Sequence, residues 1–156
     1  MRVTLENIKS QISYNADCGS FIWLKSGLPA GCTFPSGYHY IRIDGRMVGA
    51  HRVAIFFASG ILPDLVDHIN GDPSDNRLKN LRLCTPSENR ANSRVRADSA
   101  SGQKCVAFRK DRNKWRATIG PRGAVKTLGH FNTCSEAVAA VRSAAKEIYG
   151  DFARTD

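Results

Sequence analysis

Two neighbouring residues near the middle of the chain, Asp67 and His68, combine a carboxylate with an imidazole, and two asparagines, Asn80 and Asn89, follow them. Carboxylate and amide oxygens are hard ligands of the kind that Mg²⁺ and Mn²⁺ prefer. An unperturbed imidazole has a pKa of about 6.5 and can therefore accept a proton from water at neutral pH. These residue types could support hydrolysis assisted by a divalent metal ion.

The sequence around Asp67 and His68 predicts a strand, a loop and a second strand. Leu65–Ile69 is a short apolar run that carries both residues, and Leu81–Cys84 is a second run of the same kind. Residues 70–80 between them are dense in Asn, Asp, Gly and Pro, which favour turns and left-handed backbone. We therefore expect Asn80 at the far end of a loop.

A helix is predicted directly after the second strand, because three start signals agree. Thr85 is a favourable N-cap, Pro86 occupies the first helical position, and Glu88 completes a capping box with Thr85. Asn89 then lies in the first turn of this helix.

Three segments of this region resemble the HNH endonuclease family: VDHINGD at 66–72, DNRLKNLRL at 75–83 and TPSENRANS at 85–93. The resemblance implies a ββα-metal fold and hydrolysis of DNA phosphodiester bonds. An Asp-His pair alone would mean little. Its combination with the later asparagines on a strand-loop-strand-helix pattern makes the motif specific.

The resemblance also implies a role for each of the four residues. His68 is the general base that takes a proton from water, while Asp67 and Asn89 hold one Mg²⁺ or Mn²⁺ ion, with phosphate oxygens and waters as further ligands. Asn80 is implied to pin the loop and orient the base. Adjacent residues of a regular strand point to opposite faces, so we expect a distorted strand end at Asp67 and His68.

The preceding residues are predicted to form a small β-rich segment and one helix. The first forty or so residues favour short strands, and Asp44-Gly45 is a two-residue hairpin turn between strands Tyr38–Ile43 and Arg46–Ala50. His51–Ser59 is apolar at helical spacing and is ended by Gly60. His51 itself receives no functional role, and core packing is the expectation for it.

The C-terminal third is predicted to be a separate domain. Polar, small and basic residues at 94–104 indicate a linker between domains at 1–93 and 105–156. Strands are expected at Val106–Arg109, Lys114–Ile119 and Ala124–His130, with turns that include 120–123. A final helix is predicted from the Thr133/Glu136 capping box to Gly150.

The segments KWRATI at 114–119, LGHF at 128–131 and the helix at 133–150 resemble the AP2 domain. That family has a three-stranded antiparallel sheet backed by one helix, and the resemblance implies that the sheet binds DNA. Alternation places Trp115, Ala117 and Ile119 towards the helix and Thr118 on the outer face. We predict DNA contacts from these cations: Arg109, Lys114, Arg116, Arg112, Lys126 and Arg42.

Composition agrees with an anionic partner. The 156 residues include 23 Lys and Arg against 14 Asp and Glu, a formal net charge of +9, and phosphate neutralisation is a common use of such an excess. A solvated basic surface is the alternative explanation. No stretch approaches the ~20 apolar residues of a membrane span, and MRVTLENIKS lacks a signal-peptide core, so a cytoplasmic location in a host cell is expected.

The five cysteines are scattered and form no C-x-x-C pair, so we expect small buried residues rather than disulfides or a zinc site.

The sequence thus predicts an α+β protein: a β-rich segment, a ββα-metal (HNH) nuclease domain and an AP2-like domain. The leading hypothesis is a metal-dependent endonuclease of the phage and mobile-element kind, which nicks or cuts double-stranded DNA as a monomer or weak dimer. The alternatives are a catalytically inactive DNA-binding regulator and an RNA-binding protein. The latter would explain the charge but not the set of four motif residues.

Overall fold

Helices and short antiparallel strands follow one another along the chain in a computed structural model that describes residues 5–95, 97, 99, 101–120 and 124–154. The mixed α+β class predicted from the sequence is confirmed. Contacts divide the chain into two compact units, Met1–Cys84 and Thr85–Asp156. None of the helices in the described residues is long and apolar enough to cross a membrane.

The described residues of the N-terminal unit form two helices and three small sheets. One sheet pairs β1 (Ile12–Asn15) with β2 (Ser20–Trp23), and another pairs β6 (Val66–His68) with β7 (Leu81–Leu83). The third has the order β3 (Cys32–Thr33), β4 (His39–Ile43), β5 (Arg46–Gly49), and all pairs are antiparallel. A single 3-10 turn, Leu78–Asn80, precedes the last strand. In chain order the elements are α1 (Leu5–Gln11), β1 (Ile12–Asn15), β2 (Ser20–Trp23), β3 (Cys32–Thr33), β4 (His39–Ile43), β5 (Arg46–Gly49), α2 (Ala50–Ser59), β6 (Val66–His68) and β7 (Leu81–Leu83).

The prediction that the first forty residues form only strands is wrong, because α1 is a helix. Ile8 on α1 and Ile12 at the start of β1 are both buried in the core. The side chains of Asn7 and Gln11 donate to the two carboxylate oxygens of Asp44, at 2.8 and 2.9 Å. These bonds dock α1 on the turn between β4 and β5.

That turn is the predicted Asp44-Gly45 hairpin, and it is confirmed. Both residues have positive φ, 49° and 77°, as the two-residue turn requires. The following helix α2 ends at Gly60 in the left-handed conformation, as predicted. The helix and the strands around it share one apolar core, whose members include Ile8, Ile12, Phe21, Ile41, Ile43, Val53, Phe56, Val66 and Leu81.

The described residues of the C-terminal unit form a three-stranded antiparallel sheet, two α-helices and a short 3-10 helix, Gly150–Phe152. The elements are α3 (Pro86–Asn92), β8 (Val106–Arg109), β9 (Lys114–Ile119), β10 (Lys126–Phe131) and α4 (Cys134–Tyr149), with strand order β10-β9-β8. Helix α4 packs against all three strands, so the predicted sheet-plus-helix architecture is confirmed. Both predicted capping boxes, Thr85/Glu88 and Thr133/Glu136, are present.

By its contacts α3 groups with the C-terminal unit, whereas the sequence-based division places it in the nuclease domain. The division into 1–93, a linker at 94–104 and 105–156 stays a prediction. Arg96, Asp98 and Ala100 of the predicted linker lie outside the described residues. So do Pro121, Arg122 and Gly123 of the predicted turn.

The expectation of buried cysteines is wrong. Cys18, Cys32 and Cys105 are exposed, and Cys84 and Cys134 are only partly buried. The exposed thiols lie in a turn, on the edge strand β3 and in the residue before β8.

Candidate active site and nucleic-acid interface

The β6-β7 pair positions the candidate catalytic residues of the N-terminal unit. Its register places Asp67 opposite Arg82 and His68 opposite Leu81. Val66 and Leu81 are buried in the core, so the pair is anchored by apolar packing. The polar residues between these anchors are held in place by the same packing.

Asp67 is buried, with 4% of its surface exposed, and it forms an ion pair with Arg82 across the strands. Nε of Arg82 donates to Oδ2 of Asp67 at 2.8 Å. A buried carboxylate needs such a partner, because desolvation of an unpaired charge is costly. Sequence reasoning did not single out Arg82. The pairing register of the two predicted strands was the signal that could have found it.

His68 is 5% exposed, and aromatic rings surround its imidazole. The ring centroids of Tyr38 and His51 lie 5.9 and 5.2 Å from that of His68. Burial lowers the pKa of His68, while the neighbouring Asn76 and Asp67 act in the opposite direction. A lowered pKa keeps the imidazole neutral, which is the form that accepts a proton.

Asn76 is the side chain that faces Nε2 of His68. Its Nδ2 donates to the Ser74 carbonyl at 3.2 Å, which leaves Oδ1 facing Nε2 of His68 at 3.4 Å. An amide oxygen only accepts hydrogen bonds. A proton on Nε2 of His68 would satisfy this amide oxygen, and that tautomer has its lone pair on Nδ1.

His51 lies beside His68 at the start of α2. Its Nδ1 is buried and has no hydrogen-bond partner among the described residues. Burial, with smaller contributions from His68 and Arg52, lowers the pKa of His51 to about 4. A Cβ on Gly49 would come within 2.5 Å of the His51 ring, so only glycine leaves space for the imidazole there. Sequence reasoning noted His51 but gave it no role.

Asn80 ties the two ends of the loop together. Its Oδ1 accepts from the Asn70 backbone N–H at 3.0 Å, and its Nδ2 donates to Asn70 Oδ1 at 3.0 Å and to the Asp75 carbonyl at 2.8 Å. These bonds give Asn80 the contacts of a residue that pins the loop. The side chain that meets the imidazole belongs to Asn76, another residue of this loop.

Asn89 is half-buried on α3, in the C-terminal unit. Its convergence with Asp67 on one metal ion stays a prediction. In the described part of the chain, no three His, Cys, Asp or Glu side chains cluster as metal ligands. The predicted donors, one carboxylate and one amide, are hard oxygens whose chemistry fits a divalent cation that keeps several waters.

The sheet of the C-terminal unit presents cations on its outer face. Ala117 and Ile119 are buried and Trp115 packs on the core, which confirms the predicted alternation of β9. Lys114 and Arg116 lie on the other face, and Arg109 is the cross-strand partner of Lys114.

Asp111 neutralises part of this charge. Its carboxylate pairs with Arg109 at 3.0 Å and lies 3.7 Å from Arg112. Two of the predicted DNA contacts are therefore already ion-paired at the surface of the unit.

The two remaining predicted contacts lie elsewhere. Lys126 is exposed and opposite Ile119, on the helix-facing side of the sheet. A register shift between Thr127 and Gly129 places His130 opposite Arg116. His130 therefore lies on the outer face of the sheet. Arg42 is exposed on β4 of the N-terminal unit, opposite Met47.

Comparison with known proteins gives this site a class. Residues 48–91 match the family model of the HNH endonucleases, and this range covers His51, Asp67, His68, Asn80 and Asn89.

Two viral relatives extend the match. Protein 3.8 of Escherichia phage T7 is 34% identical over 99 residues, which cover 62% of this chain and 81% of that protein. The chain therefore belongs to the same family as Protein 3.8, and it contains an HNH endonuclease domain. An uncharacterized HNH endonuclease, L560 of Acanthamoeba polyphaga mimivirus, is 28% identical over 120 residues, 76% of this chain and 62% of the relative. No solved structure shows a significant match.

Proposed function

We propose that this protein is a metal-dependent DNA endonuclease in which His68 is the general base. The observation that carries the proposal is the buried β6-β7 pair. It holds an imidazole with a lowered pKa beside an ion-paired carboxylate, inside the segment that matches the HNH family. This is the combination that hydrolysis of a phosphodiester by an activated water requires.

In the proposed reaction, Nδ1 of His68 accepts the proton of the attacking water. Asn76 keeps the opposite nitrogen protonated through its Oδ1, which is 3.4 Å from Nε2. The rings of Tyr38 and His51 pack beside the imidazole and restrict its tilt. Asn80 holds the loop that carries Asn76.

Asp67 and Asn89 are the proposed ligands of one Mg²⁺ or Mn²⁺ ion. When bound, such an ion stabilises charge on the phosphate and on the departing oxygen. Arg82 pairs with the Asp67 carboxylate and fixes its direction through Oδ2. The two ligands come from β6 and α3, the first strand and the helix of the strand-loop-strand-helix motif.

DNA binding by the C-terminal sheet is the second part of the proposal. Lys114 and Arg116 lie on its outer face with Arg109, and cations at such positions bind phosphates. The AP2 resemblance suggests this use of the sheet. The family match ends at residue 91 and does not extend to it.

The test is a cleavage assay on supercoiled plasmid and on DNA that flanks the protein's own gene. We expect relaxed or linear product with Mg²⁺ or Mn²⁺ and none with EDTA. Absence of product with every metal and target would support the catalytically inactive regulator. Competition between duplex DNA and RNA for the protein distinguishes these two DNA-directed functions from an RNA-binding function.

A further inference from the structure

A basic cavity of about 440 Å³ lies within the C-terminal unit, against the outer face of the sheet. One wall is formed by Ala107 on β8 and by Arg116 and Thr118 on β9. Ala107 and Arg116 are cross-strand partners, so the small alanine leaves open space beside the arginine. The other walls come from the end of α3 and from residues that precede β8.

These other walls add three more cations, Arg90, Arg94 and Lys104. The Lys104 ammonium is held at the wall by its bond to the Ala91 carbonyl, at 2.6 Å. No carboxylate is among the described residues that line the cavity. Ser93, Ser99 and Thr118 contribute hydroxyl groups. These hydroxyls already donate to the carbonyls of Arg90, Gln103 and Cys105. The four cations of the described lining, with no carboxylate among them, favour a multiply charged oxyanion.

The guanidinium of Arg116 gives independent evidence that the cavity takes a ligand with hydrogen-bond acceptors. Its Nε is buried and has no hydrogen-bond partner among the described residues. An unsatisfied buried donor costs about 1–3 kcal/mol, and native structures rarely keep one without a reason. A guanidinium forms paired bonds to phosphate oxygens, so a phosphate group would satisfy this donor.

We propose that this cavity binds backbone phosphates of duplex DNA, with Arg116 as the central contact and Arg90, Arg94 and Lys104 around it. The inference rests on the proposed DNA binding by the C-terminal unit. It extends that binding from the sheet to the end of α3 and the residues after it. Because these contacts are to phosphate, they contribute affinity without sequence preference.

The experiment measures binding of a fluorescein-labelled duplex of unrelated sequence by anisotropy, in EDTA and at several NaCl concentrations. Each lost phosphate contact lowers the slope of log K against log [salt] by about 0.9. We expect Arg116→Gln and Arg94→Gln each to weaken binding roughly 3- to 10-fold. Each variant should also reduce the slope by about 0.9. Arg94 is exposed, so its variant tests the cavity even where Arg116→Gln fails to fold.

Lys146→Gln is the matched control, because Lys146 is an exposed cation of α4 outside the cavity lining. It should leave the slope unchanged. Wild-type slopes retained by both arginine variants would overturn the cavity proposal and remove Arg116 from the sheet contacts, which would then rest on Lys114 and Arg109. Wild-type protein that does not bind the duplex would overturn both. Protein that binds with the expected slopes but does not cleave would overturn only the nuclease function.

Inorganic phosphate provides the second arm. Thermal unfolding of wild type and Arg116→Gln is measured with and without phosphate. A phosphate-dependent rise in Tm that requires Arg116, combined with unchanged DNA slopes, would identify a free-anion site and overturn the assignment to DNA.

Discussion

The two units place their candidate functional residues in opposite environments. In the N-terminal unit, Asp67, His68 and Asn80 are between 4% and 7% exposed, and each contacts a specific polar partner. In the C-terminal unit, Lys114 and Arg112 are exposed on the surface. A buried polar site depends on every partner, because each lost bond leaves a desolvated group. An exposed basic face distributes its effect over many contacts of modest size.

The largest effect should follow from removing the carboxylate of the buried pair. Asp67→Ala is expected to reduce cleavage by at least about 1000-fold, which corresponds to several kcal/mol of lost charge stabilisation. It should also destabilise the fold by about 3 kcal/mol, because Arg82 is left without this partner in a buried position. Plasmid cleavage and urea unfolding measure the two effects.

The double variant Asp67→Leu/Arg82→Met separates these effects. Apolar replacement of both members of a buried ion pair is often neutral for stability. We expect unfolding close to wild type and cleavage as weak as in Asp67→Ala. Recovery of cleavage in the double variant would contradict the role of Asp67 at the reaction centre.

A smaller effect is expected at the loop. Asn80→Ala removes three hydrogen bonds, so the free energy of unfolding should fall by about 2 kcal/mol and cleavage by roughly tenfold, since loop misplacement shifts Asn76. The matched control is Ser74→Ala in the same loop, where an exposed hydroxyl bonds to Asp72. Equal losses in the two variants would show that Asn80 has no special function in the loop.

The histidine pair predicts a pH dependence of stability. The folded-state pKa of His51 is about 4, below the unfolded value of about 6.5. The unfolded state therefore binds more protons between these values, and stability falls as the pH falls from 6.5 towards 4. The partly exposed ring limits the loss to on the order of 2 kcal/mol. His68 acts in the same direction.

Urea unfolding at pH 7 and pH 4.5 checks this dependence, and His51→Phe should weaken it. The acidic residues with lowered pKa, such as Asp75 at about 2, lose their contribution only at lower pH. They therefore contribute little to the change in stability between pH 7 and pH 4.5. An unchanged pH dependence in His51→Phe would show that His51 is not the group responsible.

The smallest effect distinguishes cations within the basic face. Arg109 is paired with Asp111, whereas Lys114 has no ion pair among the described residues. Lys114→Gln should weaken binding to duplex DNA about three-fold, and Arg109→Gln less. Asp111→Asn should strengthen binding, because it releases the arginines for phosphate. A larger loss of DNA affinity in Arg109→Gln than in Lys114→Gln would contradict this ranking.

Local signals predicted much of the fold. The capping boxes at Thr85 and Thr133 and the Asp44-Gly45 turn are decided by a few neighbouring residues. The alternation of β9 was likewise readable from the sequence. Helix α1 was missed because it has only seven residues, too few to show a clear helical pattern. His130 was missed because a register shift in β10 changes which residues share a face.

The candidate site was predicted only in part, because its partners are distant in sequence. The motif identified Asp67, His68 and Asn80. The rings around His68 come from Tyr38 and His51, 30 and 17 positions earlier, and tertiary packing alone brings them together. Asn76 lies in the motif, but only the geometry of the folded loop shows that it meets the imidazole.

The most direct test of the account is a parallel measurement of cleavage and DNA affinity for His68→Ala. His39→Ala is the matched control, since His39 is a half-buried, hydrogen-bonded histidine of the same unit. We predict that His68→Ala loses cleavage by roughly 1000-fold and binds DNA within about twofold of wild type, while His39→Ala still cleaves. Undiminished cleavage by His68→Ala, or an equal loss of cleavage and binding, would contradict the role of His68 as the general base.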